Sequence, residues 1–324
     1  MPKILVTGGA GYIGSTTAHV LQQRGFDVVV VDDLSRGYEH NVRNVPFHKL
    51  NTLDTRAMTD LLAAERVDAV IHFAAYIAVG ESTKKPELHF WNNTSGSVSL
   101  FSAMIEAGVK RLVFSSTAAV YGAPEVVPVP EDCPFSPVNP YGESKVMVEK
   151  VLGWLDRFRD FRGIALRYFN ACGADPDCGL GEEHNPETHL IPLLFRAIET
   201  GRPVQIFGGD YDTPDGTCIR DYIHVGDLAD AHVLAVESLL AGGSSGAFNA
   251  GTGTGHSVLE VVYAVEEVTG RKVPREFAPR REGDPPVLVA NSDKLRRTLG
   301  WTPRYPGLRE IVETAWRFET RDRP

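Results

Sequence analysis

From Lys3 to Gly173, short apolar runs alternate with amphipathic stretches, and few folds accept that pattern. "KILVTGG" reads as a strand and "GSTTAHVLQQRG" as a helix. "FDVVVVDD" is apolar almost throughout, as a strand covered on both faces must be. "DTRAMTDLLAAERV", "SGSVSLFSAMIEAGV" and "YGESKVMVEKVLGWLDRF" read as helices, with the strands "DAVIHFAA", "KRLVFSSTAAVYG" and "GIALRYFNACG" between and after them. Such alternation predicts an α/β protein built on a doubly wound parallel sheet. Beyond Ala174 the texture changes to polar, turn-rich segments with shorter elements, such as "FGGDYDTPDGTC". The expected division is a first domain over 1–173 and a smaller mixed α/β lobe over 174–324. Part of 221–252 is expected to return to the first domain.

The net charge of −9 argues against broad binding to nucleic acid or anionic membranes. It leaves room for an anionic small molecule wherever arginines gather. No apolar run approaches the roughly 18 residues of a membrane span. "MPKILVTGG" enters a strand without an apolar leader, so a cytoplasmic protein is expected. Cys133, Cys172, Cys178 and Cys218 have neither metal-ligand nor disulfide spacing; reduced thiols and no metal are expected.

"TGGAGYIG" lies between the first strand and the first helix and contains Gly8, Gly9, Gly11 and Gly14. Glycines there permit a tight turn and let the backbone approach a pyrophosphate at the helix N-terminus. By itself the pattern is also that of an ordinary strand-to-helix turn. The context adds weight, because the next strand ends on Asp32, where a carboxylate can bond both ribose hydroxyls and repel a 2′-phosphate. NAD is therefore expected rather than NADP. Arg36, nearby, reads as a solvated loop residue. In "HFAA", Ala74 and Ala75 suit close approach of a cofactor and suit crowded packing equally well; His72 reads as a core histidine.

"SSTAAVYG", Ser115 to Gly122, ends a strand on the side where open α/β sheets bind ligands, and "NPYGESK" follows it. A Tyr-x-x-x-Lys pair is common on helices by chance. Together with the Thr117 hydroxyl it makes chemical sense: a nearby Lys145 and an oxidised nicotinamide would both favour the phenolate of Tyr141, making it a base for a substrate hydroxyl.

With these motifs the chain resembles the extended short-chain dehydrogenase/reductases, and within them the UDP-glucose 4-epimerases. The resemblance runs nearly end to end through "TGGAGYIG", "HFAAYIAVGES", "SSTAAVYG", "NPYGESK", "LRYFNACGA", "ETHLIPL", "GTCIRDYIHVGDLADAH", "FNAGTG" and "APRREGDP". It implies a Rossmann-type NAD-binding domain, tightly held NAD, and interconversion of UDP-galactose and UDP-glucose through a transient 4-keto sugar. It also implies a catalytic trio of Thr117, Tyr141 and Lys145. Cofactor contacts would come from Gly8, Gly11, Tyr12, Ile13, Gly14, Asp32, Asp33, Asn51, Thr52, Phe73, Ala74, Ala75, Asn92 and Phe169, with Tyr141 and Lys145. Around the UDP-hexose it places Thr117, Tyr141, Asn170, His189, Leu190, Phe207, Arg220, Tyr222, Arg281, Asp284 and Leu288. Forked guanidiniums at Arg220 and Arg281 suit a diphosphate; without the resemblance each reads as a surface salt-bridge residue.

Three positions depart from the family pattern. Asn51 stands where many members carry an aspartate against adenine. Ile77 replaces a lysine. Leu288 is intermediate at the position whose size limits the C2 substituent, so N-acetylhexosamine, pentose and uronic acid substrates stay open. A dehydratase would need an acid–base pair where this chain has Ala118 and Ala119. A non-catalytic NAD sensor would be expected to lack the Tyr–Lys pair. The resemblance further implies a homodimer through the helices around "SGSVSLFSAMIEAG" and "SKVMVEKVLGWLDRF".

Overall fold

The computed structural model describes residues 1–175, 177–281 and 283–321. The chain begins with β1 (Lys3–Thr7), α1 (Tyr12–Gln23), β2 (Asp27–Asp32), β3 (Phe47–Lys49), α2 (Thr55–Ala64) and β4 (Ala69–His72). Two single-turn helices, α3 (Val79–Ser82) and α4 (Pro86–His89), lead through a π-helical turn at Phe90–Ser95 into α5 (Gly96–Glu106). Then come β5 (Arg111–Thr117), α6 (Pro140–Arg159), β6 (Arg162–Tyr168) and β7 (Asn170–Cys172). The remainder comprises α7 (Leu190–Thr200), β8 (Val204–Phe207), β9 (Ile219–His224), α8 (Val225–Leu240), β10 (Gly246–Ala250) and β11 (Gly255–Ser257). It ends with α9 (Val258–Thr269), β12 (Arg275–Ala278), β13 (Val287–Leu288), α10 (Asp293–Leu299) and α11 (Leu308–Glu319).

Seven strands form one parallel sheet in the order β10-β6-β5-β4-β1-β2-β3. The "VVVV" run of β2 is buried on both faces. Val28 and Val30 join Ile4, Val6 and residues of α1 and α8, whereas Val31 joins Leu5, Met58, Leu100, Phe101 and Leu152 from the other side. Each fully buried side chain of this kind is worth about 1.5–3 kcal/mol relative to exposure. Strand order reverses between β1 and β4, which opens a crevice at the carboxyl ends of the strands.

Helix α6 begins where its sequence says it should. Asn139 accepts from the Gly142 N–H at 2.9 Å as N-cap, and Pro140 occupies the first turn. This places Tyr141 and Lys145 at the helix end facing the carboxyl edge of the sheet.

Past Tyr168 the chain leaves the large sheet for β7, which pairs with the second half of β9 (Asn170 opposite Tyr222). The first half of β9 is flanked by β11 and β13. Helices α7, α9 and α11 pack a separate core of Leu194, Phe195, Val261, Val265, Ile311 and Val312, with β8 and β12 as a parallel pair. Helix α8 packs on α1, and β10 lies beside β6 in the seven-stranded sheet. The buried Asp221 ties the lobe together, accepting from the N–H groups of Thr252, Gly253 and Ala290 at 2.8–3.1 Å. Among the described residues no helix is long and apolar enough to cross a membrane.

Candidate active site

The glycine loop is shaped by contacts that no side chain could share. Gly8 has φ +70°, and a Cβ there would lie 2.5 Å from the Ala74 backbone nitrogen. A Cβ on Gly14 would collide with the Gly8 carbonyl, so α1 starts hard against the loop. Gly11 is the N-cap and contributes no side-chain cap, leaving the first-turn N–H groups of Tyr12, Ile13 and Gly14 facing the crevice. The Tyr12 hydroxyl donates to the Gly173 carbonyl at 2.6 Å and links the two lobes. Ile13 packs on the core. At the end of β2, burial raises the Asp32 carboxyl above its ordinary value, against the pull of the Leu34 and Ala10 N–H groups. This uncapped helix end with a carboxylate eighteen residues past Gly14 fits a dinucleotide.

Beside it, Asp33 accepts from the Asn51 amide at 2.6 Å, while the Asn51 oxygen accepts from Leu53 N–H. Asn51 is thus held by protein partners on both ends of its amide. Thr52 is buried next to Gly96. Phe73, Ala74 and Ala75 follow β4 and border the glycine loop; Ile77, two residues on, is exposed. Asn92 donates to Asn93, a residue that sequence reading passed over. Asn93 accepts from Tyr76 N–H at 2.8 Å, donates to the Tyr76 carbonyl at 2.9 Å, and reaches Ser144 on α6 at 3.1 Å. It pins the loop after β4 to the catalytic helix. His72 is the core histidine expected: its nitrogens meet Thr7 at 2.6 Å and Ser97 at 2.9 Å, and burial pushes its pKa down to about 3.

At the end of β5 the three expected reactive groups come together. Thr117, Tyr141 and Lys145 are 8%, 6% and 2% exposed. Lys145 Nζ donates to the Ser115 carbonyl at 2.8 Å and lies 6.0 Å from the centre of the Tyr141 ring. Burial and the neighbouring Tyr168 push the Tyr141 phenol well above its ordinary value, against a hydrogen bond with Thr117. Burial also pushes the Lys145 ammonium down to about 7, with Glu149 pulling the other way. The expectation is that Lys145 and an oxidised nicotinamide together favour the phenolate; in the protein without the cationic ring, burial outweighs the lysine. Desolvation dominates both groups, and the lysine's nearest partner is a carbonyl. One turn further along α6, Glu149 forms a buried pair with Arg167 at 2.7 Å and accepts from Ser116. Arg167 continues to Tyr121, and Tyr121 to Asn249. This network was not foreseen, because a Glu on α6 and an Arg on β6 read separately as surface charges.

In the second lobe, Asn170 and Tyr222 are opposite each other on β7 and β9, and Arg220 is opposite Leu288 on β9 and β13. Arg220 donates to Asp284 at 2.8 Å and to the Ile219 carbonyl at 2.8 Å, so two residues expected around one ligand are paired with each other. Arg281 stacks on the Phe207 ring at 4.0 Å. Leu288 packs on a cluster containing Val146 and Phe169, which brings this lobe to the catalytic helix. His189 N-caps α7, whose first residue is Leu190. Around it, Glu182, His184 and Glu187 gather. Burial works against the His189 charge, but Glu182 and Glu187 hold its pKa up to about 10.

The NAD dependent epimerase/dehydratase family model matches residues 4–251. The UDP-glucose 4-epimerase of Halalkalibacterium halodurans is 48% identical over 97% of this chain and 95% of its own. The crystal structure of UDP-glucose 4-epimerase from Brucella ovis in complex with NAD superposes with a TM-score of 0.95, at 44% identity and 97% coverage of each chain. That of the Bifidobacterium longum UDP-glucose 4-epimerase with NAD+ and UDP has a TM-score of 0.92, at 35% identity over 98% of each chain. By extent and identity of match, the chain belongs to the NAD dependent epimerase/dehydratase family and, within it, to the UDP-glucose 4-epimerases.

Proposed function

We propose that this protein interconverts UDP-galactose and UDP-glucose by inversion at C4, with NAD as a retained cofactor. The observation that carries the reading is the convergence of Thr117, Tyr141 and Lys145 at the carboxyl end of β5, beside an uncapped α1 and Asp32. When bound, NAD supplies a hydride acceptor for C4 and a positive ring charge. Tyr141 removes the C4 hydroxyl proton and returns it once the 4-keto sugar has turned over, and Thr117 bonds the same hydroxyl. Because burial raises the phenol and lowers the ammonium, added positive charge in this pocket is what makes the phenolate accessible near neutrality.

Gly8, Gly11 and the first turn of α1 take the pyrophosphate, and Asp32 takes the ribose. Asp33, Asn51 and Thr52 border the adenine; Phe73, Ala74, Ala75, Asn92 and Phe169 line the rest of the dinucleotide. For the substrate, Arg220 and Arg281 face the diphosphate and Phe207 offers a ring to the uracil. Asn170, His189, Leu190, Tyr222, Asp284 and Leu288 complete the surround. The chain forms a homodimer through α5 and α6, where Met147, Val151, Trp154 and Phe158 recur at alternating spacings of four and three.

Tyr141→Phe tests the mechanism. It should lower kcat by about 10²–10⁴-fold while the purified protein keeps its NAD. A variant that turns over within a few-fold of the wild type would refute the assignment of Tyr141.

A further inference from the structure

We propose that Arg36 and Glu81 form a strap across the mouth of the dinucleotide crevice, and that opening this strap sets how slowly the protein releases NAD. The proposal rests on the reading of NAD as a retained cofactor. Arg36 reads in sequence as a solvated loop residue. In the fold its Nη2 donates to both carboxylate oxygens of Glu81, at 2.9 and 2.8 Å.

The sheet order gives the pair its meaning. Arg36 follows β2, and Glu81 lies in α3 beyond β4. In the sheet β1 stands between those two strands. The pair therefore bridges two strand spacings, roughly 10 Å, across the carboxyl end of β1, where the glycine loop and the start of α1 lie. Both arms of the bridge are seated on that loop. On one side the Tyr38 N–H donates to the Ala10 carbonyl at 3.0 Å, and a Cβ on Gly37 would lie 2.9 Å from the Ala10 backbone. On the other side Gly8 packs against the backbone of Phe73 and Ala74. The glycine loop, the β2 loop, the ion pair and the β4 loop thus close a ring. A dinucleotide with its ribose on Asp32 and its other half along Phe73, Ala74 and Ala75 passes through that ring, and it leaves only when the pair opens.

Each partner is supported from behind. The Arg36 guanidinium lies over the Tyr76 ring, 5.1 Å from its centre. Asn93 fixes the Tyr76 backbone through both its N–H and its carbonyl. Glu81 is carried on the single turn of α3, and Nε2 of the buried His89 lies 3.7 Å from its Oε2. A half-exposed ion pair contributes little to folding stability. A strap acts elsewhere, because its opening is a step on the path of release.

The test follows release directly. Full-length protein is loaded with radiolabelled NAD and diluted into an excess of unlabelled NAD, and the label left on the protein is counted after filtration. Arg36→Gln and Glu81→Gln should each release label about tenfold faster than the wild type. The double variant should release it no faster than either single variant, because losing one partner already opens the strap. The gap between wild type and variants should narrow as sodium chloride is raised. Arg24→Gln, which breaks the Arg24–Asp230 pair at the far end of α1, should leave release unchanged. Wild-type release rates in both single variants would overturn the proposal. So would acceleration in Arg36→Gln alone, which would place Arg36 on the cofactor itself, or effects that multiply in the double variant. A wild type that takes up no label would instead remove the reading of NAD as the cofactor, and the strap with it.

Discussion

At the scale of single residues, the site is defined by what burial does to ionisable groups. His72 is an example outside the chemistry. Its folded pKa of about 3 lies below the roughly 6.5 of an unfolded histidine. Between those values the unfolded chain binds more protons, so stability present above the unfolded pKa is lost as pH falls. Urea unfolding of wild type and His72→Gln should therefore diverge below neutrality. Between pH 6 and pH 5 the wild type should lose about 1.2 kcal/mol more than the variant. Parallel curves would mean that His72 does not titrate as its burial requires. Tyr141 and Lys145 follow the same physics with the opposite purpose. Neither is comfortable charged in this pocket, which makes both responsive to a cationic ring placed beside them.

At the scale of elements, α6 carries the proposed catalytic pair, Tyr141 and Lys145, in its first turns and Glu149 one turn later. Glu149 raises the pKa of Lys145 and neutralises Arg167. Glu149→Gln should move the alkaline limb of the kcat profile to lower pH, because less of Lys145 stays protonated. It should also destabilise the protein by about 3–5 kcal/mol, the cost of leaving a buried charge unpaired. An unchanged limb would separate Glu149 from the reaction. Much of this level was legible beforehand. The β1, β2 and β4 strands announce themselves by continuous apolar runs, and α6 by the amphipathic stretch that begins at Tyr141. The Thr117–Tyr141–Lys145 grouping follows once β5 and α6 are placed. What stayed hidden depends on residues distant in sequence: Arg220 against Asp284, Glu149 against Arg167, and Asn93 reaching Ser144. Their spacing carries no periodic signal, since each pair is made by packing between different elements: α6 on β6, the π-helical turn on α6, and β9 beside the loop before β13. The short π-helical turn that positions Asn92 and Asn93 leaves no pattern in composition either.

At the scale of the whole molecule, the two lobes meet through Tyr12, Phe169 and Leu288. On the outer side, Trp154 and Phe158 are 60% and 64% exposed and stacked at 5.7 Å. Replacing both by glutamate should convert a dimer into a monomer in sedimentation. A wild type that sediments as a monomer would remove the proposed interface. The account as a whole rests on retained NAD and inversion at C4. Its most direct test mixes the purified protein with UDP-galactose, adds no NAD, and follows the products by chromatography. The account predicts accumulation of UDP-glucose to equilibrium over many turnovers. Failure to form UDP-glucose, with or without added NAD, would contradict it.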